Sequence, residues 1–449
     1  MISNIFVVGY LFILIKFSSN SFQDNILKKI LEKNEKENIK ENIMISPFSL
    51  YQVLSLLSNG AKGDTQKEIF KVLYPDKEIN DNLVSEINSN MNTILSNIES
   101  ENIEDTSKIK ICDGDECKII FNDVNGIFVK KGFQLTEQFI QKCDNYNTSY
   151  FELIDAEQIN KFCSDNTNGK IDNIINSIDP QTILMLINAI YFKGTWMEKF
   201  SEDLTEKRDF TNSDKTINKV DTMYINFHSQ KYYEDKNVKI ISLPYISNKL
   251  GFEMIIILPD SNKYSSALDY LKEEKVVLSE IPSKLQSKEN IHLYLPKFNY
   301  KFNMNLKEIL NDLGMKLAFS ESANFDELCQ NQNSYVDSIS QFTYINLNEN
   351  GTEAAAVTGG LIYPTSEPNE EYFMKVDHSF IYMIKSNKIN DIEGKNLMPF
   401  IGIVNSIDGE KVGNAEETDS DDPVKIGGHQ NNLKFNIGII ISLLKLLKK

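Results

Sequence analysis

The chain has 449 residues, 41% of them hydrophobic, which is enough for a sizeable core in two or three average domains or one large α/β unit. Its formal net charge is −17, with a pI near 4.9, and the body of the chain holds no cluster of Lys and Arg. That balance argues against nucleic acid or heparin as a partner, because phosphate and sulfate recognition needs concentrated basic side chains. The acidity serves solubility.

Residues 5–15, IFVVGYLFILI, form an apolar run of the length of a signal-peptide core and too short to span a bilayer. Lys16 stops it, and Ser19 and Ser21 stand at small-residue positions suited to cleavage before Phe22, although no basic residue precedes the run. The expectation is therefore a secreted protein whose residues 1–21 are a signal peptide. Five Cys residues are sparse for this length. Cys112 and Cys117 bracket DGDE and, in a secreted protein, can close a small disulfide loop, whereas Cys143, Cys163 and Cys329 read as core residues. The sequence has no CxxC pair and no HExxH, so neither a metal nor a cofactor is expected.

Ile26 and Ile30 mark an amphipathic helix over 23–41. A second follows SPFS at 46–49, where Ser46 or Ser49 can cap and Pro47 suits the first turn. NGAKGDT breaks the chain, with Asp64 or Thr65 able to cap a helix running to Leu73. Helices are expected near 83–99 and 135–145, with strands at IIF and GIFV from residue 119 onward. ILMLINAIYF (183–192) and FEMIIILP (252–259) are nearly continuous apolar runs, as strands covered on both faces are. IHLYLPKF (291–298) alternates with period two and is followed by the helix LKEILNDLGM. YFMKV, FIYMI and FIGIV complete one mixed α+β domain spanning 22–408.

Several of these segments together resemble the serpin family, in the family's order and over about 380 residues. They are SPFSLYQVLSLLSNGAKGDT (46–65), INKFCSDNTNGKIDNII (159–175), LINAIYFKGTWMEKF (186–200), LPKFNYKFNMNLKEILNDLGM (295–315) and VDHSF (376–380). Phe162 stands where the family usually has Trp. The resemblance implies about nine helices around three β-sheets and an exposed reactive-centre loop over about 349–372. It further implies a non-enzymatic, irreversible inhibitor that is cut in this loop by a serine protease. The upstream half of the loop then inserts into the main sheet as a new strand.

NENGTEAAAVTGG (348–360) matches the hinge of that loop, formed by Glu349, Gly351, Thr352, Glu353, Ala354, Ala355, Ala356, Val357 and Thr358. Side chains alternate between the faces of a strand, so Thr352, Ala354, Ala356 and Thr358 would point under the sheet and Glu353, Ala355 and Val357 away from it. Small inward groups can slide between strands, while a charge there would be buried unpaired. Gly359 and Gly360 each weaken an inserted strand by about 0.5 to 1 kcal/mol, which implies slower insertion or more substrate-like turnover. Counting seventeen residues inclusively from Glu349, the family register puts the cut bond between Thr365 and Ser366. Thr365 suits shallow specificity pockets of the elastase type, and Pro364 should block a chymotrypsin-like cut after Tyr363.

Ser46, Ser49 and Asn188 match family positions under the sheet, in a hydrogen-bonded cluster that lets its strands part. The family's usual His there aligns with Gln341, which implies a cluster without pH sensitivity. Two alternatives remain: inhibition of cysteine proteases by the same trap, or a non-inhibitory carrier or chaperone, whose hinge typically carries bulky or charged inward residues. An enzyme fits worst, with GxSxG absent and only four His. Asn147 and Asn350 begin glycosylation sequons, and the one beside the hinge is expected to be unused. Beyond 408, an acidic linker (409–434) leads to FNIGIIISLLKLLKK (435–449). That tail reads as a surface-lying membrane helix, a lipid-anchor signal or a segment docking on the body. A monomer is expected.

Overall fold

A computed structural model describes residues 21–37, 40–80, 82–102, 119–247, 250–273, 276–329, 334–352, 370–390 and 397–411. The side chains of residues 100–102 and 122 are outside this description. So are residues 1–20 of the expected signal peptide, the pair Cys112 and Cys117, the loop from Glu353 to Asn369, and everything beyond Lys411.

Ser21 accepts a hydrogen bond from the Asp24 amide and starts α1 (Phe22–Lys36). The helix ends five residues before the expected boundary at residue 41, where the chain becomes a charged run with no apolar face to bury. After β1 (Ile43–Ile45), Ser46 caps α2 (Pro47–Gly60) by accepting from the Ser49 amide at 3.2 Å. All of α2 except Asn59 is buried, so this helix is the axle of the core. In α3 (Gly63–Leu73) neither expected cap acts: Lys62 occupies that position without a side-chain bond. Thr65 instead accepts from the Asn324 amide at 3.0 Å.

α4 (Leu83–Asn102) precedes β2 (Ile120–Lys130), and IIF and GIFV prove to be two ends of that one strand. Next come α5 (Glu137–Asn145), β3 (Thr148–Leu153), α6 (Ala156–Asn166) and β4 (Leu184–Thr195). The strands β5 (Glu206–Thr211), β6 (Ile217–Glu234), β7 (Val238–Pro244) and β8 (Phe252–Pro259) follow, then the short α7 (Ala267–Leu271). The expected strand at 291–298 is really the junction of two, β9 (Gln286–Pro296) and β10 (Phe298–Asn305), and the chain changes sheets at Lys297. α8 (Lys307–Asp312), β11 (Ser338–Asn348) and the two-residue β12 (Gly351–Thr352) complete the chain up to the loop. β13 (Tyr372–Lys375), β14 (Phe380–Ser386), β15 (Phe400–Val404) and β16 (Glu410–Lys411) lie after it.

The α+β expectation holds. The six-stranded sheet runs β10-β11-β12-β4-β2-β3. The other eight-strand path runs β1-β15-β14-β8-β7-β6-β9-β13, with β5 and β16 also paired to β6. Two of the three expected sheets share the long β6 and so form one ten-stranded network. The two sheets meet in a cluster of buried rings, with Phe121 and Phe192 of one packed edge-on against Phe252 and Phe400 of the other. Such rings bury large apolar areas and make this contact the centre of the core.

Candidate functional site: the seam of the six-stranded sheet

β4 and β11 run parallel and pair directly, Met185–Tyr191 with Ser338–Tyr344. Above this ladder the chain turns at Glu349 and Asn350, and β12 re-enters between the same two strands. Gly351 and Thr352 pair with Asn348 and Leu347 on one side and with Thr195 and Gly194 on the other. β12 is antiparallel to both neighbours, the direction that a strand continuing down the seam must have. The seam is therefore open by one strand's width at its top and closed below.

Four features hold the top. Gly351 has φ +144°, and a Cβ there would lie 2.0 Å from the Gly194 carbonyl oxygen, so no other residue fits this pivot. Thr352 is buried with its side chain on the expected inner face, where its hydroxyl is 2.8 Å from the Tyr245 hydroxyl. Trp196 stacks on Tyr245 with centroids 4.4 Å apart and donates from Nε1 to the Asn348 carbonyl. Glu349 is 4% exposed; it accepts from Thr205 at 2.7 Å and pairs with Lys297 at 3.0 Å. Burial pushes the Glu349 carboxyl up, but the bonds from Thr205, its own backbone and Lys297, with the Lys297 charge, outweigh this and hold it below the usual range.

Halfway down, the structure brings Ser46, Ser49, Asn188 and Gln341 together. Gln341 on β11 accepts from the Ser46 amide at 2.7 Å and donates to the Ser46 carbonyl and to Asn188 Oδ1, at 3.0 and 2.9 Å. Asn188 on β4 donates to Ser49 Oγ, to Asn125 Oδ1 at 2.8 Å and to Asp123 Oδ1 at 2.9 Å. Ser49 donates to Asp123 Oδ1 as well. Gln341 thus has its amide fully engaged on both sides of the seam.

Asp123 and Asn125 are the members that sequence reasoning misses. Their signal is two polar residues at i and i+2 inside a strand whose ends are apolar, which places both on one face. Asp123 keeps some accessible surface as a residue, yet its Oδ2 is buried and has no hydrogen-bond partner. Burial pushes its carboxyl up to about 6, against the pull of bonds from Ser49, Asn188 and Asn125.

The remaining predicted residues divide plainly. Glu353, Ala354, Ala355, Ala356, Val357, Thr358, Thr365 and Ser366 lie outside the described residues. Asn147 is exposed, on the turn between α5 and β3. Asn350 is 6% exposed, and its carbonyl accepts from the Trp196 amide. Cys143, Cys163 and Cys329 are buried free thiols, and burial raises all three, Cys329 to about 11.

A two-sheet α+β fold with a seam built this way defines a class, and comparison with known proteins agrees. Residues 18–403 match the family described as Serpin (serine protease inhibitor), and the chain belongs to that family. It is 29% identical to a leukocyte elastase inhibitor of Xenopus laevis, covering 82% of this chain and 94% of that one. Antichymotrypsin-2 of Bombyx mori is 28% identical, with 83% and 96% covered. An uncharacterized serpin-like protein of Methanosarcina acetivorans is 29% identical, with 88% and 87% covered. Among solved structures, the native state of the thermophilic serpin tengpin superposes with a TM-score of 0.71 at 26% identity, over 87% of this chain and 94% of that one. Serpins are generally non-enzymatic inhibitors of proteases.

Proposed function

We propose that this serpin is a suicide-substrate inhibitor of a serine endopeptidase of elastase-like specificity, cut after Thr365 and completed by insertion of the hinge between β4 and β11. The observation that carries the reading is the seam itself. Below β12 it is zipped from Met185–Tyr191 to Ser338–Tyr344, and among the described residues of the hinge Thr352 is seated on the inner face.

The protease serine attacks the Thr365 carbonyl and forms an acyl-enzyme, with Ser366 as the new amino terminus. Before water frees the enzyme, the hinge continues the antiparallel track that β12 has begun and carries the tethered protease away from the cut. Insertion of about a dozen residues adds ladder hydrogen bonds worth on the order of 10 kcal/mol in total, at about 0.5 to 1.5 kcal/mol each. That is comparable to the whole stability of an ordinary domain, so the uncut protein is kinetically trapped. This chain supplies no catalytic group.

Secretion belongs to the same proposal, with one adjustment to the cleavage point. Ser21 caps α1, so a cut before Phe22 would remove the cap and leave an ammonium at a helix N-terminus, where positive charge is unfavourable. A cut a few residues earlier keeps the cap.

The test incubates purified protein with elastase-like, chymotrypsin-like and trypsin-like enzymes. The expected result is a complex with the first that survives boiling in detergent, and a released fragment beginning at Ser366. Cleavage at that bond without any rise in melting temperature would refute the mechanism.

A further inference from the structure

Among the polar groups under the seam, Asp123 is out of balance. Its Oδ1 accepts from Ser49, from Asn188 at 2.9 Å and weakly from Asn125 at 3.5 Å, while Oδ2 is buried without a partner. Among the described residues no cation compensates it. α2 presents Ser46 and Ser49, β4 presents Asn188 beside the register partner Ile190, β11 presents Gln341, and β2 itself presents Asn125. None of these side chains ionises, and among the described residues Asp123 makes no ion pair.

The position of the group matters as much as its charge. The start of α2 is fastened to β11, because Gln341 binds both the amide and the carbonyl of Ser46. Asp123 and Asn188 lie on β2 and β4, which are zipped together from Ile120 to Val129. A strand entering between β4 and β11 must separate these two groups. The side-chain bonds that cross the boundary are Gln341 to Asn188, Asn188 to Ser49, and Ser49 to Asp123.

We propose that Asp123 is a proton-operated latch on the seam, holding the sheet shut when protonated and favouring its parting when ionised. The ionised closed form buries a charge with no counter-ion, and parting the strands admits water to it. A proton taken from solvent removes that charge and with it the incentive to open. The carboxyl's raised position, near 6, puts the change within a physiological range. The pH sensitivity that Gln341 cannot supply thus sits one strand beyond β4, on β2. This inference rests on the insertion reading above.

The experiment follows annealing into the uncut protein of a synthetic peptide with the sequence of residues 352–365, read as a rise in melting temperature with time. Wild type should anneal roughly tenfold more slowly at pH 5.0 than at pH 7.5, with a midpoint near pH 6, a tenfold change being one unit of protonation free energy. Asp123→Asn should be slow and nearly flat across that range. Histidine titrations are common to both proteins, so the difference between the two profiles isolates Asp123. Ser49→Ala removes a donor that stabilises the ionised form and should move the midpoint to higher pH, which a purely structural role would not do. Identical profiles for wild type and Asp123→Asn would overturn the latch while leaving insertion intact. Failure of wild type and both variants alike to anneal at any pH would overturn insertion and the latch together.

Discussion

The top and the middle of the seam solve the same problem in opposite ways. At the top, a carboxylate buried between strands has a cation: Glu349 meets Lys297 and Thr205, and a strand's width is already filled by Gly351 and Thr352. In the middle, β4 and β11 touch directly, and the buried carboxylate nearby, Asp123, has only neutral donors. The paired charge stabilises an opening that exists. The unpaired one strains the closure. If the hinge inserts as proposed, the barrier lies at the cluster around Asn188 and Gln341, and the top aims the incoming strand.

The largest expected effect comes from destroying the aim. Thr352→Arg puts a bulky cation at a seat that is already buried beside Tyr245 and Trp196 in the uncut protein, at a cost of several kcal/mol that drives the hinge out of the sheet. The protein should become a substrate: the target protease cuts it, no detergent-stable complex forms, and the cut form melts no higher than the uncut one. Next comes Lys297→Ala, which leaves Glu349 buried without its cation and should lower stability by about 1 to 3 kcal/mol at pH 7. Glu349 is held below its ordinary 4.5, so its contribution is present above that value and is lost as pH falls through its lower folded value. Without Lys297 that loss should begin at higher pH, read from melting curves between pH 6 and pH 3.

Asp123→Asn should act in the other direction and more gently. A carboxyl raised from 3.8 to about 6 destabilises the closed form by on the order of 3 kcal/mol above pH 6, and the penalty vanishes below 3.8. The amide replaces the charge but leaves a buried N–H without a partner, which returns about 1 to 3 kcal/mol. A net gain on the order of 1 kcal/mol at pH 7.5, reversing to a net loss by pH 4, is expected in calorimetry. A loss of stability at pH 7.5 would remove the contrast between the two regions.

How much of this was readable in advance depended on whether the cause was local. The Ser46 cap, the apolar strands β4 and β8 and the inward face of Thr352 follow from capping chemistry and from periods of 3.6 and two. The stretch from β5 to β7 carries no such signal. β6 is eighteen residues long, and its buried and exposed positions lose their alternation near Thr222 and Met223. β11 hides for a different reason. SISQFTYINLN is polar, yet it is largely buried, because Gln341 and Thr343 satisfy partners across the seam and in β1 rather than solvent. Asp123 breaks the apolar pattern of β2 for the same reason, so its strand reads as two fragments. Polar residues whose partners lie 65 or more positions away leave only a gap in the pattern.

The smallest effect tests whether acid stabilisation belongs to the seam at all. His378 lies between β13 and β14, in the ten-stranded sheet, with Nδ1 2.7 Å from Asp377 and Nε2 2.7 Å from the Pro259 carbonyl. Burial alone would depress its pKa, but the bonds to Asp377 and Pro259 and the charges of Asp377 and Asp260 prevail and raise it above 6.5. A raised histidine contributes stability that is full below pH 6.5 and is lost as pH climbs through the folded value, the same sign as Asp123. The two are separable because His378 touches neither β4 nor β11. His378→Gln should lower stability by about 0.5 to 1 kcal/mol at pH 6 and less at pH 8.5, while leaving the pH profile of peptide annealing unchanged. If it flattened that profile instead, the proton that governs opening would reside on the wrong sheet, and the distinction between a paired top and an unpaired middle would lose its physical basis.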